Sequence, residues 1–422
     1  MNDEDKAFRF YTPRTVSNPT TDRFMFATGI ECSYPVVEHE GVRHRRDQML
    51  ECGHYERWAE DFDLVAETGC RFLRYGPSYY ATHLGPDRYD WSFMDLVLPE
   101  LQRRKIIPII DLCHFGVPDW IGDFQNPDFP RHFAAYAAAF AARYPWVRLY
   151  TPVNEMYVTA EFSAYYGWWN ERLRSHRAFV TALTNIARAS MEAMLAILKV
   201  RRDAIFFLCE SSEHTHARDP ALALKAQMFN SRKFLSLDFA VGRRVNSGMY
   251  AYLVENGMSN EDYTFFLRQD LREHFVIGHD YYITNERLLV NEDHRIASGD
   301  VFGYYVIARQ YHKRYRLPIM HTETNLREPG SVDWLWKTWA NIQQLREDGV
   351  PICGMTWYSL TDQIDWDTAL REVNKRSNSL GLYDLDRKVR PVGEAYQNLI
   401  RSWRETPLIP NGPLTLVGGL SN

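Results

Sequence analysis

The amino-acid sequence predicts an α/β fold, a (β/α)8 TIM barrel with elaborated βα loops. Three observations carry this expectation. Strand-like apolar runs alternate with amphipathic helix-like runs along the chain, the mark of a parallel sheet covered by helices. Eight strand candidates can be placed, the number that closes such a barrel. The distinctive polar residues fall where those runs end, the face on which such barrels carry their chemistry. No Gly/Ser-rich or Pro-rich linker, internal repeat or low-complexity stretch divides the chain, so residues 1–422 are expected to form a single domain.

The first strand is expected over residues 24–30. A helix over 55–68 follows and ends before Gly69, and strand two is read over 72–76. The helix over 92–104 places Phe93, Leu96, Val97 and Leu101 at a 3.6-type spacing. Strand three, 106–113, is a nearly continuous apolar run, as a strand buried on both faces requires. An alanine-rich helix over 132–144 leads to strand four, 147–153, and a long amphipathic helix over 178–200 to strand five, 204–209. Strands six, seven and eight are read over 275–282, 318–322 and 352–357, with helices over 301–315, 332–347 and 392–404 completing the ring. The stretch 211–273 is long for one crossover and is expected to add helices and loops over the barrel mouth.

Composition narrows the function. Hydrophobic content of 45% and charged content of 24% allow a sizeable core. The 12 Trp and 25 Tyr suit a cleft that stacks on flat apolar faces, although core packing accounts for most of them equally well. The formal net charge is −5 and no basic stretch is interleaved with aromatics, so nucleic acid is not an expected partner. The densest basic run, Arg43-His44-Arg45-Arg46, reads as a solvated loop. The six cysteines (Cys32, Cys52, Cys70, Cys113, Cys209 and Cys353) are scattered without a CxxC pair, as in a reduced compartment. Residues 1–6 are charged and no apolar run is long enough to span a bilayer. A cytoplasmic location without membrane attachment is therefore expected. The oligomeric state stays open, a homo-oligomer included.

The polar residues at strand ends form a constellation. Arg74 closes strand two, His114 strand three, Asn154 and Glu155 strand four, Asp280, Tyr281 and Tyr282 strand six, Glu323 strand seven and Trp357 strand eight. Two carboxylates on separate strand ends can flank one glycosidic bond. Hydrolysis needs a proton on the leaving oxygen, which a carboxyl of raised pKa can deliver, and negative charge at the anomeric carbon, which a carboxylate supplies. Glu155 is read as the acid/base and Glu323 as the nucleophile of a retaining glycosidase. Arg74 and Tyr282 are suited to hold Glu323 ionised, and Asn154 to bind the sugar 2-hydroxyl. Either glutamate motif alone is compatible with a helix cap or a surface ion pair; both in barrel order, with Arg74 and His114, point to chemistry. His114 is compatible with a sugar contact or a buried structural role, and Tyr281 with either site or core. No metal or other cofactor is expected: His39, His44 and His54 lack HExxH-type spacing, and the alternating pair His214 and His216 lacks complementary ligands at other strand ends.

The chain resembles glycoside hydrolase family 1, the β-glucosidase family of retaining (β/α)8 glycosidases. Thr151-Pro152-Val153-Asn154-Glu155 resembles the acid/base motif Thr-x-Asn-Glu-Pro, and Thr322-Glu323-Thr324-Asn325 the nucleophile motif Thr-Glu-Asn-Gly. Cys113-His114-Phe115-Gly116-Val117-Pro118 is similar to the strand-three His-Trp-x-x-Pro, and Asp280-Tyr281-Tyr282 to Asn-Tyr-Tyr. The segment from Trp357 to Trp366 resembles the strand-eight motif that ends in Glu-Trp, with one residue more. The likeness implies a β-glycosidase acting on a carbohydrate, with Arg74, His114, Asn154, Tyr282, Trp357, Asp365, Trp366 and Glu31 binding substrate. Departures are concentrated on the far side of the glycone pocket. Met156 follows the acid/base where the family has Pro, Asp365 stands for its hydroxyl-binding Glu, and its strand-one Gln is replaced near Tyr34, with Glu31 close by. These changes imply an atypical glycone in a divergent branch, and the enzyme is expected to be exo-acting. Transglycosylation by the same pair and a carbohydrate-binding pseudoenzyme are the alternative readings.

Overall fold

A computed structural model describes residues 24–292 and 294–405; the charged start at residues 1–6 lies outside them. The expected strands are present as β1 (Met25–Gly29), β2 (Phe72–Tyr75), β3 (Ile107–Asp111), β4 (Leu149–Thr151), β5 (Ile205–Ser211), β6 (Phe275–Asp280), β7 (Ile319–Glu323) and β8 (Ile352–Trp357). They are parallel, each beside its sequence neighbour. β8 returns to β1 through the register Met25↔Gly354 to Thr28↔Trp357, which closes the barrel. Strand four is shorter than expected because Pro152, with no N–H to give, ends it at Thr151.

Period-two alternation explains why the strands read as unbroken apolar runs. Met25, Phe72, Ile109, Leu149, Phe207 and Met320 fill the barrel interior. Their neighbours Phe26, Leu73, Ile110, Tyr150 and Phe206 point outward into the layer shared with the helices. Burying each large apolar side chain stabilises the fold by roughly 1.5–3 kcal/mol relative to exposure.

The ring helices are α1 (His54–Thr68), α2 (Ser92–Arg103), α3 (Phe129–Arg143), α4 (His176–Val200), α5 (Leu235–Ala240), α6 (Gly303–Tyr315), α7 (Ser331–Glu347) and α8 (Pro391–Glu405). α1 stops where Gly69 adopts φ +84°, a left-handed cap open to glycine at little cost. α4 starts at Ser175, whose hydroxyl accepts the Ala178 N–H at 3.0 Å.

Two expectations need correction. The stretch 211–273 does not lie wholly over the mouth. Its strand His214–Ala217 joins Glu286–Asn291 and His294–Ala297 in a small sheet beyond the barrel, whereas α5 packs against α4 in the outer ring. The basic run is not a solvated loop. Val42–Arg45 pairs with Val36–His39 as a hairpin, and Arg46 is only 2% exposed, held by Glu51 and Asp365. Partner carboxylates, not visible in local sequence, make that burial affordable. The six cysteines are buried and unpaired. Among the described residues no helix is long and apolar enough to cross a membrane.

Candidate active site

The C-terminal ends of the strands surround a cavity of about 540 Å³, lined by Glu31, His114, Glu155, Tyr282, Glu323 and Trp366, among others. Trp168, Arg287, Asp367 and Arg371 also line it. Glu155 and Glu323, from β4 and β7, therefore face one space.

Glu323 is the last residue of β7 and is 4% exposed. One of its oxygens takes the Arg74 guanidinium, and the other accepts the Tyr282 hydroxyl at 2.7 Å. Arg74, buried on β2, also donates to Asp111 Oδ2 at 2.9 Å and to Asn154 Oδ1 at 2.8 Å. Both oxygens of Glu323 are thus tied and the side chain is aimed.

Glu155 meets the opposite environment. Among the described residues nothing donates a hydrogen bond to its carboxyl. Burial first, then the charges of Asp280, Glu323, Glu210 and Glu213, push that carboxyl well above the usual carboxylate range. This environment favours the protonated carboxyl. Its backbone is left-handed, φ +41°, and is pinned by its N–H to Cys209 O at 3.1 Å and by the Asn154 N–H to Cys113 O at 2.9 Å. Asp280, between the two glutamates, is also raised by burial and by the charge of Glu323, and accepts the Thr322 hydroxyl at 2.7 Å.

His114 Nδ1 lies 2.9 Å from Asp111 Oδ2, and its Nε2 lies 3.1 Å from Asn154 Nδ2. Because Arg74 takes the Asn154 amide oxygen, the amide nitrogen donates to Nε2, which places the ring proton on Nδ1. Burial lowers the pKa of this histidine while Asp111 and Glu31 raise it, with a net rise. The amide donor facing Nε2 nevertheless decides for the neutral ring in the resting site. Glu31 accepts from the Ser33 N–H at 3.0 Å and from Gln363 Nε2 at 3.1 Å, and burial raises its carboxyl.

The remaining predicted residues are placed differently. Arg74 and Asn154 stand behind the carboxylates and do not line the cavity. Trp366 lines it, and its indole N–H has no hydrogen-bond partner among the described residues. Trp357 is fully buried, with its indole N–H donating to Leu380 O at 2.9 Å. It is the next residue, Tyr358, that stacks near His114 with a ring separation of 6.2 Å and lies under the Arg74 guanidinium. Asp365 is not available to a sugar: it is fully buried, and its oxygens accept from Arg46 and from the backbone N–H groups of Asn374, Lys375 and Arg376. The shorter carboxylate has been drawn into anchoring its own loop, and Gln363 lines the cavity instead.

Sequence reasoning missed Asp111, Glu210, Tyr358 and Gln363. The first two sit at the ends of β3 and β5, so the strand-end signal that found Arg74 and Glu323 applies to them as well. Tyr281, which the sequence left between site and core, is buried, with its hydroxyl within hydrogen-bonding distance of the Glu286 and Asp300 carboxyls at 2.9 and 3.0 Å.

Cys32, Asp111 and His114 bring ligand-type atoms within 4.8 Å of one another. The shared atom, Asp111 Oδ2, already accepts from Arg74, and that guanidinium would oppose a metal cation. Of the histidines weighed as ligands, His214 makes ring contacts with His216 and Phe302, and its Nδ1 has no hydrogen-bond partner among the described residues. His54 pairs with Asp61 at 2.7 Å, His216 with Glu286 at 2.7 Å, and His39 lies beside His44 on the hairpin.

The sequence profile of glycosyl hydrolase family 1 matches residues 36–274. Among curated proteins, β-glucosidase A of Thermotoga maritima is 23% identical over 160 residues, 36% of each chain. A 1,4-β-D-glucan glucohydrolase of Thermotoga neapolitana is 22% identical over 162 residues, 36% of this chain and 38% of its own. The matched segment thus spans little more than a third of these relatives' length. A family 1 β-glucosidase structure from Thermotoga maritima superposes with a TM-score of 0.76 at 16% identity, covering 92% of this chain and 98% of that one. Its complex with galacto-hydroximolactam gives 0.75 at 16% identity, over 92% and 99%. These superpositions show the shared fold.

Proposed function

The chain belongs to glycosyl hydrolase family 1, and on that premise we propose that it is a retaining β-glycosidase of one domain, exo-acting on a carbohydrate with an atypical glycone. One observation carries the proposal: two glutamates line one cavity in contrasting surroundings, Glu323 with both oxygens tied to Arg74 and Tyr282, and Glu155 with its carboxyl raised by burial and acidic neighbours.

The chemistry follows from that contrast. The Glu323 carboxylate attacks the anomeric carbon as the bond to the aglycone oxygen breaks, and Glu155 gives its proton to that oxygen. The result is a covalent glycosyl-enzyme and a Glu155 carboxylate. Water then enters; Glu155 takes its proton, the water oxygen bonds to the anomeric carbon, and Glu323 leaves with its electron pair. Two inversions give net retention, and Glu155 ends protonated as it began. Arg74 and Tyr282 aim the nucleophile without binding substrate through the same atoms. An atypical glycone is supported by the withdrawal of Asp365 and by the wall of Glu31, Gln363 and His114 that faces the cavity instead.

Replacing Glu155 or Glu323 by Gln should remove turnover while leaving the fold intact. With Glu323→Ala, azide should restore cleavage of an activated aryl glycoside and yield a product of inverted configuration. Undiminished activity in either Gln variant would sink the assignment.

A further inference from the structure

We infer that Glu210, at the end of β5, is the positioning residue for the acid/base, clamping the loop that carries Glu155. The inference rests on the reading of Glu155 as the acid.

Glu155 needs such a clamp. Its φ of +41° lies in a region that costs an L-residue roughly 1–2 kcal/mol, so the surroundings must hold it there. The following residue, Met156, opens a short helix, Met156–Ala160, without the ring-fixed φ that a proline would bring. Neighbouring strand β5 supplies the restraint at two consecutive positions. Cys209 O accepts the Glu155 N–H at 3.1 Å, and the Glu210 carboxyl Oε2 accepts the Tyr157 N–H at 3.0 Å.

Glu210 is itself fixed. It is fully buried; its Oε1 accepts the Ser211 N–H at 3.1 Å, and Ser236 on α5 bonds Oε2 at 2.6 Å. Burial pushes its carboxyl up to about 8, so the site tolerates it largely neutral and without a counter-cation. It does not line the cavity. A buried carboxyl that stands off the cavity, is anchored by Ser211 and Ser236, and accepts the Tyr157 N–H two residues past Glu155 acts through the loop that carries Glu155.

The signature differs from that of general structural damage. A misplaced acid fails only where the leaving oxygen needs its proton, so the loss should depend on the leaving group. The test compares an alkyl β-glycoside with the 2,4-dinitrophenyl β-glycoside of the same sugar, in Glu210→Ala, Glu210→Gln, Ser236→Ala and Glu155→Ala. For Glu210→Ala, kcat/KM on the alkyl glycoside should fall on the order of tenfold to a hundredfold, as for an ångström-scale misplacement. The dinitrophenyl substrate should change less than about threefold in its glycosylation step. Ser236→Ala, which keeps the Glu210 side chain, should show the same selectivity more weakly and covers the case in which Glu210→Ala does not fold. Equal losses on both substrates in Glu210 and Ser236 variants, beside a selective loss in Glu155→Ala, would overturn this inference alone. Absence of leaving-group selectivity in Glu155→Ala would overturn the acid assignment and the inference with it.

Discussion

Glu155 joins a left-handed backbone to a buried carboxyl whose neighbours are mostly acidic. An acid raised in this way keeps its proton to higher pH than an ordinary carboxyl, and activity is lost as pH rises through the raised value. The alkaline limb of kcat/KM should therefore belong to Glu155. Glu155→Gln should abolish that limb and cut turnover of unactivated glycosides by about 10²–10⁴-fold, the usual contribution of a positioned acid. A pH–rate profile of both proteins checks this. Tyr282 offers the complementary test. Its hydroxyl gives Glu323 one of its two anchoring contacts, at 2.7 Å. Hydrogen bonds to charged groups contribute about 1.5–3 kcal/mol, so Tyr282→Phe should lower kcat/KM roughly tenfold to a hundredfold. Steady-state kinetics, with the fall in kcat and not in binding, is the expected readout.

At the scale of elements, the loop after β8 shows how a site residue can be reassigned by folding. Asp365 accepts three consecutive backbone N–H groups, Asn374 to Arg376, and a buried arginine. Asp365→Asn should cost about 3–5 kcal/mol, because an amide nitrogen would face donors and Arg46 would lose a charge partner. It should also raise KM, since Trp366, Asp367 and Arg371 on the same loop line the cavity. Denaturant titration and kinetics on one preparation measure both effects. The sequence made the strand ends legible because apolar runs and the polar residues that stop them are local. It made Glu155, Glu323, Arg74 and Tyr282 legible as a group because barrel topology brings the strand ends together. Asp365, Trp357 and Arg46 were beyond its reach. Whether Trp357 or Tyr358 faces the site depends on how the chain bends as it leaves β8, and the fates of Asp365 and Arg46 depend on each other across more than 300 residues.

For the molecule as a whole, barrel closure couples the first strand to the last, and the interior cluster beneath the cavity is the platform on which the site stands. Phe207 is 1% exposed within that cluster. Phe207→Ala should destabilise the fold by about 3–5 kcal/mol, from lost transfer energy and a residual cavity. The strand ends are held by other contacts, so kcat of the folded fraction should change little below the new melting transition. Calorimetry beside kinetics separates the two. A proportionate collapse of kcat at temperatures where the variant is folded would mean that interior packing sets the catalytic geometry directly.

The most direct measurement is trapping with a 2-deoxy-2-fluoro β-glycoside bearing a good leaving group, followed by peptide mass spectrometry. A series of glycones is needed, because the preferred sugar is proposed to be atypical. The expected result is one sugar per chain, attached to the peptide containing Glu323, with loss of activity in step with labelling and no label in Glu323→Gln. Labelling of another residue, or turnover of the same glycone without any accumulated adduct, would contradict a double displacement at this pair.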